Sequence, residues 1–216
     1  PLAIFLDQLM ETCLGHEHIL LDRMLESVPA FGGPALFADI PRLTILFSFL
    51  DRYVRNIRRV AALNALIRAN VPAMIHVTRP DLLAVPEQLR TRILPPIGFE
   101  DTLQAMRRAR VTLSILPTIH GGMTERVSSA MINGSLLLSE AHAWLGATFP
   151  DGQAAAYFPG HRPEVLPETF DALRTDPGRC ERIALEGEAR VRGQFTVRHL
   201  AEFVLDQAGV SAGALS

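Results

Sequence analysis

The sequence predicts an α/β fold in which helices cover both faces of a parallel sheet. From residue 43 onward, short apolar runs alternate with amphipathic helices, which is the pattern of repeated βαβ units. With 48% hydrophobic and 20% charged residues, the 216-residue chain can bury the core of one domain and carry a modest appendage. Apolar residues before Leu43 recur at helical spacing, so residues 1–42 are predicted to form a separate helical segment.

The first predicted strand is Leu43–Leu50, an almost continuous apolar run, and the helix over 51–70 follows because its arginines alternate with an apolar stripe. Further apolar runs predict strands at 71–77, 93–97, 111–116, 135–139 and 154–158. Amphipathic spacing predicts helices at 86–92, 100–108, 163–175, 177–195 and 197–208. A further helix is predicted over 124–133, with Thr124 as its N-cap and Gly134 as its stop.

Composition and spacing argue against several classes of protein. A net charge of −2 lacks the basic surface that a nucleic-acid partner requires. Cys13 and Cys180 have no zinc-ligand spacing, and no histidine pair suggests a metal site, so a reducing cytoplasm is the expected location. Apolar stretches are too short for a membrane span. The start at Pro1 suggests a fragment of a longer protein.

The segment Pro117–Gly134 carries the strongest chemical signal. It leads from a predicted strand through a loop containing Gly121 and Gly122 into a helix, whose free N–H groups and positive dipole end form a natural anion site. His120 in this loop could bind a phosphate, although a lone histidine beside a glycine pair is more often structural. Taken alone, the glycine pair also fits an ordinary turn, because it matches neither the Rossmann nor the Walker pattern.

Several blocks together resemble the spore-maturation-type, family-1-like glycosyltransferases of the GT-B class. The similar blocks occur in the same order and cover about residues 43–208; they are 51–59, 111–117, 122–127, 130–134 and 149–152. The resemblance implies that residues 43–216 form the Rossmann-like, C-terminal half that binds a nucleoside-diphosphate sugar. Residues 1–42 would then belong to the acceptor domain or to the connection between the two domains.

This resemblance also implies the reaction. A sugar would be transferred from a nucleoside-diphosphate donor, most simply a UDP-sugar, to an acceptor held mainly by an N-terminal domain that these residues lack. Arginines and helix amides would stabilise the departing diphosphate, so neither a metal nor a cofactor is expected. The 216 residues alone are expected to be inactive. Their apolar helical segment should then expose a large apolar patch.

The implied substrate-binding residues come from two loops. They are Arg52, Arg55, His120, Gly121, Gly122, Met123, Thr124, Glu125 and Ser129. Arg52 and Arg55 fall in the first turn of a predicted helix, where cations oppose the helix dipole unless an anion binds there. For the neighbouring arginines, a solvated helix face is an equally good explanation at Arg58 and a better one at Arg59 and Arg68.

A third loop and one departure from the family pattern complete the predicted site. Pro96 and Ile97 lie in a segment similar to the one that flanks the nucleobase, although a structural double-proline turn explains it equally well. Many GT-B donor domains have a ribose-binding glutamate where this chain has Ser129, and Glu125, one turn earlier on the same face, could replace it. The serine also leaves open a non-catalytic nucleotide-sugar-binding module. A sugar-nucleotide epimerase-like enzyme is a further alternative, but it would need more carboxylates in these loops.

Overall fold

The computed structural model describes residues 4, 7, 8, 11, 15, 33–86, 93–119 and 121–209. Its helices are α1 (Ile40–Arg68), α2 (Phe99–Arg108), α3 (Glu125–Ile132), α4 (Ala143–Thr148), α5 (Leu166–Thr175), α6 (Pro177–Gln194) and α7 (Val197–Gln207). Its strands are β1 (Ile75–His76), β2 (Ile93–Leu94), β3 (Val111–Ser114), β4 (Leu136–Glu140) and β5 (Ala156–Phe158). The helix predicted at 86–92 lies outside the described residues apart from Pro86, which is not helical.

The predicted strand Leu43–Leu50 is wrong, because these residues form part of the long helix α1. Asp39 caps this helix by accepting a hydrogen bond from the Arg42 N–H at 3.1 Å, and a proline in the first turn suits a helix start. Buried side chains then recur at every fourth position, at Leu50, Val54, Arg58, Ala62 and Leu66. A short apolar run does not distinguish a strand from a buried helical segment, which explains the error.

The central sheet has the order β3-β4-β5, and both pairings are parallel. In its register, Val111 lies beside Leu136 and Leu138 beside Ala156. All five residues of β4 are buried, as expected for the middle strand of a sheet that is covered on both faces. Parallel strands place their carboxyl ends at one edge, so the loops after β3, β4 and β5 meet there.

Two apolar clusters lie on opposite faces of this sheet, since successive side chains of a strand point to opposite sides. One cluster joins Leu136 and Leu138 of β4 to residues of α1, α5 and α6. The other joins Leu137 to residues of α2, α3, α4 and α6. The predicted three-layer, Rossmann-like α/β arrangement is therefore confirmed, although its strands are shorter than expected and α1 replaces the first of them.

A second, two-stranded parallel sheet pairs β1 with β2. It packs beside the C-terminal half of α1, where Ile67, Ile75 and Leu83 form a small core. His76 Nδ1 lies 2.8 Å from the carbonyl oxygen of Pro95, which fixes the double-proline turn after β2 against β1. This contact gives the turn a structural role whether or not it contacts a nucleobase.

Exposed apolar side chains are found near both ends of the described chain. Ile4, Ile40, Ile45 and Phe49 are exposed, and so are Val197, Leu200, Phe203 and Val204 of α7. Most of residues 1–32 lie outside the described part, so the apolar patch expected there stays a prediction. The predicted boundary between residues 42 and 43 falls inside α1. The division of the chain into two domains at that boundary stays a prediction.

Gly187→Ala should destabilise the fold by about 1–3 kcal/mol, since enlarging a residue at a close-packed position forces its neighbours apart. A Cβ at Gly187 would lie 2.6 Å from the carbonyl oxygen of Ala154, which is backbone and cannot rotate away. Gly193→Ala on the same helix is the control, because its added Cβ meets no atom within 4 Å and should be neutral or slightly stabilising. Urea unfolding measures both, and equal stabilities would contradict this packing.

Candidate functional site

Two polar contacts connect the carboxyl edge of the central sheet. The backbone N–H of Leu116, after β3, donates to Glu140 Oε2 at the end of β4 over 2.8 Å. The hydroxyl of Thr118 donates to Asp51 Oδ1 on α1 over 2.6 Å. The loop after β3 is therefore attached both to the neighbouring strand and to the middle of α1, which brings polar residues of three elements together.

A buried ion pair lies beneath this edge. Arg58 Nη1 and Glu140 Oε1 are 3.6 Å apart, and their side chains are 1% and 7% exposed. Gly160, in the loop after β5, packs against both, since a Cβ there would overlap Glu140 and lie 2.7 Å from Arg58 Nη1. Burial raises the pKa of Glu140, while the charge of Arg58 and the N–H of Leu116 act in the opposite direction. The pair thus connects α1, β4 and the loop after β5.

Arg59 lies close enough to both Arg55 and Arg126 to feel their charges, and we call these three residues the arginine cluster. Although part of the Arg59 surface remains exposed, its pKa is lowered, first by desolvation and then by the positive charges of Arg126 and Arg55. Asp51 and Glu140 partly offset this effect. Arg126 is the second residue of α3, where the helix dipole also disfavours a cation. The cluster concentrates positive charge next to the N-terminus of α3.

The N-terminus of α3 has the backbone geometry of a helix cap without the usual side-chain bond. Thr124 is extended, and its side chain makes no capping hydrogen bond to the helix. Its hydroxyl oxygen is buried and has no hydrogen-bond partner among the described residues. An added Cβ at Gly121 or Gly122 would meet no atom within 4 Å, so packing within the described chain does not require glycine at either position. The hydroxyl and first N–H groups of α3 are therefore available for hydrogen bonds.

The loop predicted to carry Arg52 and Arg55 does not exist, because both residues lie within α1. Arg52 and Arg55 are therefore far from a helix N-terminus, and the dipole argument applies to Arg126 instead. Arg52 is exposed, whereas Arg55 pairs with Asp51. The structure thus brings Arg55 to the arginine cluster but gives Arg52 no described contact with it.

The other predicted site residues lie on α3 and the turn after β2. Glu125 is exposed, and Ser129 is half-buried with its carbonyl oxygen accepting a bond from Asn133 Nδ2 at 2.8 Å. Met123 packs partly into the core beneath α3. Pro96 is exposed and Ile97 half-buried. His120 lies outside the described residues. The binding roles of all these residues stay predictions.

Four residues of the site were missed or given too little weight in the sequence, namely Asp51, Arg59, Arg126 and Glu140. Asp51, Arg55 and Arg59 are spaced four residues apart, which places them on one helix face, and this spacing could have identified them together. Arg126 lies inside the 122–127 block that carries the family resemblance. Glu140 follows four buried residues at the end of β4, and only the fold shows that it meets Arg58.

Two negative findings concern the part of the chain that the structure describes. No group of three or more His, Cys, Asp or Glu side chains there could hold a metal ion. No helix in that part is both long enough and apolar enough to cross a membrane. Metal-independent chemistry stays a prediction.

Glu140→Gln removes the carboxylate that faces the buried charge of Arg58, so it should be less stable than the wild type at low pH, and this deficit should shrink as pH rises. Because burial raises the pKa of folded Glu140 above the unfolded value of about 4.3, its stabilising contribution is complete below that value and is lost as pH rises through the folded-state pKa. Glutamine does not titrate and keeps an oxygen for the Leu116 N–H. Urea unfolding between about pH 4 and 8 should show a difference that grows in favour of glutamine. A difference growing in favour of the wild type would mean that Arg58 outweighs burial.

Comparison with known proteins adds a family to this geometry. Residues 55–206 match the sequence model of a family described as glycosyl transferase-like. None of the curated proteins compared with the chain matches it significantly. The match contains β1 to β5, α2 to α6, the arginine cluster and the Arg58–Glu140 pair, and it covers well over half of the chain. The chain therefore belongs to the glycosyl transferase-like family.

Proposed function

We propose that this chain is the donor-binding domain of a glycosyltransferase and holds the diphosphate of a nucleotide sugar between the arginine cluster and the N-terminus of α3. The observation that carries the proposal is the cluster itself. Guanidinium groups close enough to lower the pKa of Arg59 repel one another and cost stability unless an anion offsets them. Arg126 adds to this cost because it lies at the positive end of a helix.

Local charge also favours an anionic ligand. Arg55, Arg58, Arg59 and Arg126 face two nearby carboxylates, those of Asp51 and Glu140. Glu125, the first residue of α3, adds a third carboxylate, so four cations and three anions leave an excess of one positive charge, in a chain whose overall net charge is −2. A diphosphate is a chemically suitable partner, because arginine binds phosphate oxygens with paired, charge-assisted hydrogen bonds.

The same groups suggest how transfer would proceed. Negative charge develops on the diphosphate as its bond to the sugar breaks, and fixed guanidinium and N–H groups stabilise that charge without requiring a metal. The exposed carboxylate of Glu125 would accept hydrogen bonds from sugar or ribose hydroxyls. The turn at Pro96 and Ile97 would contact the base, with UDP as the simplest nucleotide. The acceptor, and any base that activates it, would come mainly from an acceptor domain.

The second candidate function is a non-catalytic binding module, and the feature that favours it is Ser129. Its carbonyl is occupied within α3, and a serine hydroxyl replaces the carboxylate that many GT-B donor domains use for ribose. Saturation-transfer NMR with UDP- and GDP-sugars tests the shared property of the two candidates. Binding of either nucleotide sugar supports a donor site, and absence of binding to both would remove it. Slow hydrolysis of a bound donor would favour the enzyme over the binding module.

Replacing Arg55, Arg59 or Arg126 with alanine should weaken nucleotide binding about ten- to a hundredfold, the value of one charge-assisted contact. Calorimetry with UDP on folded variants measures this effect. Arg68→Ala, an exposed arginine in the last turn of α1, is the matched control and should bind like the wild type. Arg52→Ala should have a smaller effect than the cluster variants, because Arg52 is exposed and has no described contact with the cluster. If all three cluster variants bound UDP like the wild type, the diphosphate would bind elsewhere.

Glu125→Gln should weaken binding of a UDP-sugar more than binding of inorganic pyrophosphate, since its proposed partners are hydroxyl groups. Losing the charge weakens hydrogen bonds accepted from those hydroxyls and slightly favours a bound anion. Titrations of both ligands against the same protein give the ratio. Glu188→Gln, which removes a half-buried carboxylate from α6, provides the control. An equal loss of affinity for both ligands would assign Glu125 to the fold of α3 rather than to the sugar.

A further inference from the structure

Asp51 contacts two separate parts of the candidate site. Its Oδ1 accepts the 2.6 Å hydrogen bond from Thr118 in the loop after β3, and its Oδ2 pairs with Arg55 one turn along α1. The side chains of Arg55 and Asp51 remain 35% and 24% exposed. A carboxylate therefore lies against the same arginines to which an anionic ligand would bind.

We propose that Asp51 is an internal counter-anion, which holds Arg55 in place in the free protein and is displaced from Arg55 by the bound diphosphate. This proposal depends on the diphosphate-binding part of the function proposed above. Thr118 keeps Asp51 attached to the loop after β3 when Arg55 turns to the ligand. Asp51 would thus set the affinity for the diphosphate, through direct competition for Arg55 and through repulsion of the bound anion.

The strengths of the two contacts favour this exchange. An ion pair between residues four apart on a helix, with both side chains partly exposed, contributes little to stability. Paired hydrogen bonds from arginine to phosphate oxygens are stronger and hold a defined geometry. Asp51 also influences Arg59, whose positive form it stabilises against the charges of Arg55 and Arg126. One carboxylate therefore offsets part of the charge of the whole cluster.

Asp51→Asn provides the direct test, because asparagine keeps the shape and an oxygen for Thr118 but removes the charge. Calorimetry on the whole chain with inorganic pyrophosphate should show about three- to tenfold tighter binding than in the wild type, and a steeper dependence on salt. Asp171→Asn is the matched control, because Asp171 forms an exposed pair with Arg174 on α5. Its affinity should remain that of the wild type.

Two further variants separate charge from loop movement. Thr118→Val removes the hydrogen bond but keeps the carboxylate, so it should not reproduce the gain. In an Arg55→Ala background, the gain from Asp51→Asn should shrink, because Arg55 is no longer there for the carboxylate and the phosphate to share. The proposed exchange of partners at Arg55 would be wrong if Thr118→Val also tightened pyrophosphate binding. It would also be wrong if Asp51→Asn tightened binding equally in the absence of Arg55.

The outcomes for Asp51 and for the proposed function differ. If Asp51→Asn tightens pyrophosphate binding but neither protein binds a nucleotide sugar, the counter-anion stands and the donor site fails. If the wild type binds a nucleotide sugar and Asp51→Asn binds pyrophosphate equally or more weakly, the donor site stands and the counter-anion is wrong. If neither protein binds pyrophosphate or a nucleotide sugar, both proposals fall.

Discussion

The contact between Glu140 and its two partners holds the carboxyl edge of the sheet together. Glu140 ends β4, pairs with Arg58 of α1 and accepts the N–H of Leu116 after β3. A buried ion pair often contributes little net stability, because desolvation of both charges offsets their attraction. The pair does fix the position of α1 relative to β4, since each buried charge needs the other one close to it. Gly160 completes the arrangement by allowing the loop after β5 to approach the pair closely.

The position of α1 follows from this contact and explains why the site forms on its next face. Arg58 points into the protein, and Arg55 and Arg59, on either side of it in sequence, lie toward the surface that faces α3. One helix thereby supplies both the buried cation that organises the strand ends and the cations that could bind a ligand. The hydrogen bond between Thr118 and Asp51 keeps the loop before α3 close to the same turn of α1.

The layers of the fold could be predicted from sequence because they depend on local periodicity. Buried strands such as β4, and amphipathic helices such as α6, carry their burial pattern in consecutive residues. Leu43–Leu50 could not be assigned in the same way, since an apolar run of eight residues suits either a strand or a helix. Two features outside the run show that it is helical. Asp39 caps the helix before the run, and buried residues continue at every fourth position after it.

The candidate site was less predictable, because its important relations connect residues that are distant in the chain. Glu140 and Arg58 are 82 positions apart, so no local pattern marks them as partners. The spacing of Asp51, Arg55 and Arg59 is visible in the sequence. It indicates a binding site only once the fold shows that Arg126 of α3 lies near Arg59. Arginines on a helix face ordinarily gain solvation by spreading apart. In this fold Arg126 of α3 and Arg55 of α1 both act on Arg59, and Asp51 and Glu140 only partly offset their repulsion. An anionic ligand is well suited to offset the rest.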